Sequence, residues 1–347
     1  MRKTFNDILK IALPLLLGGA ILYWMYRDFD FQQIRNVLFE DMNWTWMLLS
    51  FPFGILAQMF RGWRWRQTLA PVDEHPRSST CIHAIFLSYA ASLVIPRIGE
   101  FMRCGVLKRY DNVSFPKALG TVVTERAIDS LVVMVVTGLT LLLQIRVFTH
   151  FFDETGTSIN SIVGRFTAAG WLVTGICIVA IALMGYTLLR KLSIYNKVKD
   201  TLRGIWQGII SLKDVHNKWL FAFYTLAIWG SYFLHYYLTF FCFDFTANLG
   251  LMCALVTFVV GSIAVIVPTP NGAGPWHFAV KTMLILYGVA DVQALYFVLI
   301  VHTIQTMLVI LLGIYAVVAL GFTKVVRSER KENITENIDK INNSINQ

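Results

Sequence analysis

The chain has 347 residues, 56% of them hydrophobic and only 15% charged, with a formal net charge of +9. Soluble domains carry about 25% charged residues, so this deficit, with recurring apolar runs of about 20 residues, reads as an integral membrane protein. The strict alternation of a membrane β-barrel is absent, and the basic residues form no aromatic-interleaved run, which argues against nucleic-acid binding.

In hydrocarbon every backbone polar group needs an internal partner, so the apolar runs are expected to be helices. The first, 8–26, ends in Tyr23, Trp24 and Tyr26. It lacks a small-residue cleavage site, so it reads as a retained span and not as a signal peptide. The second, 44–60, runs into "RGWRWRQTL" at 61–69, where Arg61 and Arg64 read as an aromatic-basic anchor at the membrane boundary or as interfacial docking for lipid phosphate.

The third run, 79–95, meets Pro96. Arg97, Gly99, Glu100 and Arg103 follow at once. Basic residues around 61–78 and 103–117 place both flanks on one side of the membrane, so 79–110 is expected to enter and return as a re-entrant hairpin. The span 118–143 then carries Glu125, Arg126 and Asp129. Glu125 and Asp129 are four apart and share a helix face. Charges at mid-bilayer cost about 2.5–3.5 kcal/mol each, so these residues must pair, reach headgroups or line water. Two readings stand: an ion-pair lock between helices, or a polar site for an anionic headgroup. Arginine suits the second because its planar fork makes bidentate bonds to phosphate.

Further spans are expected at 166–188, 219–242, 251–267, 276–290 and 293–320. The basic segment 190–218 has the spacing of an amphipathic surface helix. Between 251–267 and 276–290 lies "VPTPNGAGPWH", a second break. Gly272 and Gly274 let a backbone bend or approach a ligand, and His277 is a candidate headgroup contact. Lys281 and His302 are weaker candidates, and His235 reads as packing. The five cysteines form no CxxC pair and read as small buried apolar residues. No metal site, cofactor, nucleotide loop or hydrolase motif is indicated.

The expected fold is all-α and polytopic, with about eight membrane helices and two broken or re-entrant elements entered from opposite faces, the pattern of an inverted repeat. Residues 1–322 form the membrane domain and 323–347 a polar cytoplasmic tail. Both termini are expected in the cytoplasm.

In order, "RGWRWRQTL", "PRIGEFMRCGVL", "TERAID" and "PTPNGAGPWH" resemble the lysylphosphatidylglycerol synthase transmembrane-region family, also described as flippase-like. The resemblance runs to about residue 322. It implies lipid translocation in a bacterial inner membrane. It also implies that lysyl transfer is not expected, because the soluble aminoacyl-transferase domain of the family's synthases is missing. The family pattern has Glu where His277 stands, so a proton-linked role does not carry over. The leading expectation is binding and flipping of an anionic phospholipid or lipid-linked saccharide. Arg97, Arg103 and Arg126 would hold phosphate, with Glu100, Glu125 and Asp129 orienting them. The alternatives are a membrane-embedded transferase on a lipid-phosphate sugar, with Glu125 or Asp129 as base, and a non-catalytic partner of a separate lipid-modifying enzyme. Self-association is left open.

Overall fold

The computed structural model describes residues 18–27, 31–144, 215–267 and 269–326. Residues 8–17 of the first expected span, the span expected at 166–188, most of the 190–218 segment, Cys177 and the tail beyond Val326 lie outside the described residues. Those described are all-helical, with no strand among them.

A short helix α1 covers residues 18–26, and α2 covers Phe31–Asn36. Helix α3, Trp44–Leu69, starts where the Asn43 side chain accepts the Thr45 N–H at 3.1 Å. It does not stop at Phe60, as the aromatic-basic run implied. Its 26 residues span about 39 Å, and the run "RGWRWRQTL" forms its last turns. Helix α4, Ser78–Ser92, and α5, Ile98–Asp111, pack side by side as a hairpin with its turn at residues 93–97. Gly99 permits their approach, because a Cβ there would strike the Ser88 carbonyl oxygen. The open end is tied by Arg77, whose Nε donates to Asp111 at 2.6 Å and whose Nη2 donates to the Lys324 carbonyl at 2.9 Å. Helix α6 follows at Phe115–Leu143.

The second half repeats this order. Helix α7, Lys218–Tyr237, is capped by Asn217, which accepts the Leu220 N–H at 3.0 Å. After a short α8, Asp244–Ala247, come α9, Gly250–Ala264, and α10, Pro275–Leu286. They pack as a second hairpin, and α11, Asp291–Gly321, is again a long apolar helix.

Two cores fix the direction of each piece. One gathers Met47, Cys242, Cys253, Leu284 and Phe297. The other gathers Trp65, Leu69, Cys81, Leu107 and Leu320. Met47 and Leu69 stand at opposite ends of α3, about 33 Å apart along the helix. The hairpin α4–α5 therefore has its open end at the Leu69 end, and α9–α10 has its open end at the Met47 end. The four described cysteines are all buried, three of them fully.

Helices α6 and α11 are long and apolar enough to cross a membrane, with mean hydropathies of 1.9 and 2.3. Only 11% of the apolar window of α6 is buried. Leu131, Met134 and Leu142 there, and Leu311, Ile314 and Val318 on α11, point outward. An apolar surface of this extent has lipid as its natural solvent. The other described helices are shorter or, like α3, carry buried arginines, so among the described residues two spans stand on length and composition alone.

Candidate functional site

Between the two cores lies a charged network built from α3, α5 and α6. On α3, Gln58, Arg61, Arg64, Trp65 and Thr68 share a face at spacings of three and four, and all five are buried. Arg64 donates through Nη2 to Asp129 Oδ1 at 2.7 Å, and its Nε lies 3.6 Å from Glu125 Oε1. Arg61 donates through Nη1 to Asp129 Oδ2. From α5, Arg103 donates to Glu125 Oε2 at 2.7 Å, and its guanidinium lies 4.5 Å from the centre of the Trp65 ring. The Trp65 indole in turn donates to Thr121 on α6 at 3.0 Å. Three guanidiniums thus face two carboxylates, leaving one positive charge in excess. The Nε–H groups of Arg61, Arg64 and Arg103 lack hydrogen-bond partners among the described residues.

This corrects the sequence reading of Arg61 and Arg64. They are not boundary anchors but buried charges, Arg64 fully enclosed, because α3 continues past Phe60 and turns them onto α6. The two expected clusters are also not one pocket. Arg126 forms a separate, half-exposed pair with Glu100 at 2.8 Å. Arg97 sits alone at the tip of the first hairpin, exposed, with a left-handed φ of 65° and no ion pair among the described residues.

The second break lies elsewhere. Gly272 and Gly274 take φ values of 72° and 90°, which side chains with a Cβ adopt only under strain. His277 is turned back on its own helix: its Nδ1 accepts the Gly274 N–H at 3.4 Å, and its ring packs 4.4 Å from that of His302. It is held as part of the cap. Asn271, at φ 51°, pins the break to α11 by donating to Thr306 Oγ1 at 2.7 Å, while its carbonyl accepts from His302 Nε2 at 3.1 Å. Lys281 is taken up by Asp291 at 2.7 Å.

A cavity of about 260 Å³ joins these regions. Tyr89, just before the first turn, and Asn271 and Trp276, from the second break, all line it, as do Gln58 of α3 and His235 of α7. One residue of the first hairpin, a turn short of its tip, and the second break therefore border one space. Its link to the network is Tyr232: its hydroxyl donates to the Tyr89 hydroxyl at 2.9 Å, and the Arg61 guanidinium lies 5.9 Å from its ring centre. Gln58, Asn271, Gln305 and Thr306 escaped the sequence reading because single amides and hydroxyls carry no motif. Gln58 alone was findable, one turn before Arg61 on the same face.

The model of the Lysylphosphatidylglycerol synthase TM region family matches residues 11–313. The chain belongs to that family. As a member of a family of membrane regions, it is a membrane protein with a lipid-related setting. It is also similar to the glycosyltransferase AglD of Haloferax volcanii, 25% identical over 142 residues, which are 41% of this chain and 23% of that protein. The chain therefore matches well under half of that relative's length. No solved structure matches it.

Proposed function

We propose that this chain binds a lipid with an anionic phosphate headgroup, a phospholipid or a lipid-linked saccharide, and moves it between the leaflets of a bacterial inner membrane. The observation that carries this reading is the buried positive excess of Arg61, Arg64 and Arg103 beside a cavity bordered by residues of both hairpins. An uncompensated charge in a low-dielectric interior is expensive, and a phosphate would neutralise it with charge-assisted bonds. Arg97 at the first tip, and Arg126 with Glu100, would meet the headgroup on its way in.

The arrangement of the helices supports transport. The order helix, hairpin, long helix occurs twice and runs in opposite directions, as in inverted-repeat transporters whose broken helices meet near mid-membrane. In this reading about eight helices lie in the membrane, both hairpins are re-entrant, and both termini are cytoplasmic. The likeness to a glycosyltransferase favours a second reading, in which the chain serves sugar transfer on a lipid carrier, alone or beside a separate enzyme. Glu125 and Asp129 suit the base of such a transfer poorly, since both are buried among guanidiniums and neither lines the cavity.

Proteoliposomes separate the two. With a headgroup-labelled phospholipid or polyprenyl phosphate in both leaflets, an impermeant quencher should reach the inner-leaflet label only when the protein is present. Equal quenching of empty and protein-containing vesicles for every phosphate lipid would sink the translocation reading. A change in lipid mass on adding a sugar donor would establish the second.

A further inference from the structure

The cavity bordered by both hairpins carries no Asp, Glu, Lys or Arg among its described lining residues. We propose that it seats an uncharged, polyhydroxylated headgroup, above all a single sugar ring, belonging to the lipid whose phosphate the adjacent arginines receive. This rests on the proposed function and names the substrate class.

The hydrogen-bonding capacity of the cavity is open and of both signs. Gln58 is 4% exposed, and its Oε1 has no partner among the described residues. The buried Trp229 Nε1–H has none either. His235 Nδ1 lies 2.8 Å from the Ser50 carbonyl, which assigns the proton to Nδ1 and leaves Nε2 an acceptor. The room for that ring comes from Gly54, where a Cβ would sit 2.9 Å from Nε2. An ammonium offers only donors and a carboxylate only acceptors, whereas a hydroxyl offers both. Unpaired acceptors and an unpaired donor around one space therefore match hydroxyls.

The apolar part of the lining matches the rest of a sugar. Trp229, Tyr236 and Trp276 bring aromatic rings, whose negative π surface can receive the C–H face of a sugar. The volume, about 260 Å³, is small beside the roughly 300–1,000 Å³ of drug-sized sites and matches a single ring. The position also agrees. Tyr232 borders the cavity and lies beneath Arg61, so a phosphate at Arg61 and a ring in the cavity are consecutive groups of one molecule. A lysyl headgroup is disfavoured: its ammonium would be desolvated with no lining carboxylate, and Asp129 already holds two arginines.

The test is a binding titration of the detergent-solubilised full chain by native mass spectrometry. The probes are polyprenyl phosphate with and without a hexose, phosphatidic acid against phosphatidylinositol, and lysyl-phosphatidylglycerol against phosphatidylglycerol. The neutral polyol should tighten binding at least tenfold in the first pair, the second, or both. The pair that responds identifies the source as a sugar carrier or a phospholipid. Gln58→Leu and Trp276→Ala should each erase that increment while bare polyprenyl phosphate binds as before, which also shows that the variants are folded. Binding of bare phosphate lipids with no polyol increment, or tightest binding of lysyl-phosphatidylglycerol, would overturn this inference and leave the phosphate reading standing. Failure of every phosphate lipid to bind would overturn both.

Discussion

Asp129 accepts from two arginines that have no other carboxylate within 3 Å. Removing one partner of a buried pair leaves an uncompensated charge and costs about 3–5 kcal/mol. Asp129→Leu should therefore lower the unfolding midpoint in detergent sharply, and adding Arg61→Leu should recover part of the loss. A single mutant that melts with the parent would show that the network contributes nothing to folding. Glu100→Ala breaks only the half-exposed pair with Arg126, worth at most about 1 kcal/mol, so stability should barely move. Arg97 is exposed and has no ion pair among the described residues to lose, so its replacement isolates function. If it meets phosphate, Arg97→Ala should cost about 1.5–3 kcal/mol of binding, a roughly 10- to 150-fold loss, with lysine rescuing in part. Unchanged affinity for phosphate lipids in Arg97→Ala would remove that residue from the site.

The hairpins are set by different devices. In α4–α5 the close contact at Gly99 fixes the pair, so Gly99→Val should splay the hairpin and lower the yield of folded protein. Gly105, on the same helix, faces open space. Gly105→Ala should stabilise or leave stability unchanged. Equal behaviour of the two mutants in a thermal melt would show that the hairpin does not depend on the Gly99 contact. In α9–α10 the turn depends on positive φ at Gly272 and Gly274. Gly272→Val or Gly274→Val should abolish transport with membrane insertion intact, and normal transport in both would make these glycines mere connectors. The sequence announced both turns, because Pro and Gly interrupt apolar runs. It hid the length of α3: three arginines and two tryptophans look like a boundary when counted, and only the spacing of three and four picks out Arg61, Arg64 and Trp65 as a buried face. It also hid the cavity, whose walls come from α3, α4, α7, α9, α10 and α11 at once. That juxtaposition belongs to the tertiary packing and to no local pattern.

At the scale of the molecule, topology ties fold to function. The N-terminus of α4, the C-terminus of α5 and the end of α11 are joined through Arg77, Tyr110 and Lys324, and Lys117 beside them reaches Glu74 at 3.2 Å. The basic residues Lys108, Arg109, Lys117 and Lys324 therefore gather at one end, where the positive-inside rule puts the cytoplasm. The opposite end holds Asn43, bonded to the Cys242 carbonyl at 2.8 Å, and the exposed Asn248. If the first hairpin is re-entrant, it cannot deliver its C-terminus to the far side. In a background with Cys177 replaced by Ser, Lys108→Cys and Lys324→Cys should both react with an impermeant maleimide only from the cytoplasmic face. Asn248→Cys should react only from the other. The native described cysteines are buried and should stay silent. Labelling of Lys108→Cys from the outer face would mean that residues 79–110 cross the membrane. The two hairpins would then no longer enter from opposite sides, and a transport mechanism built on their meeting would fail with them.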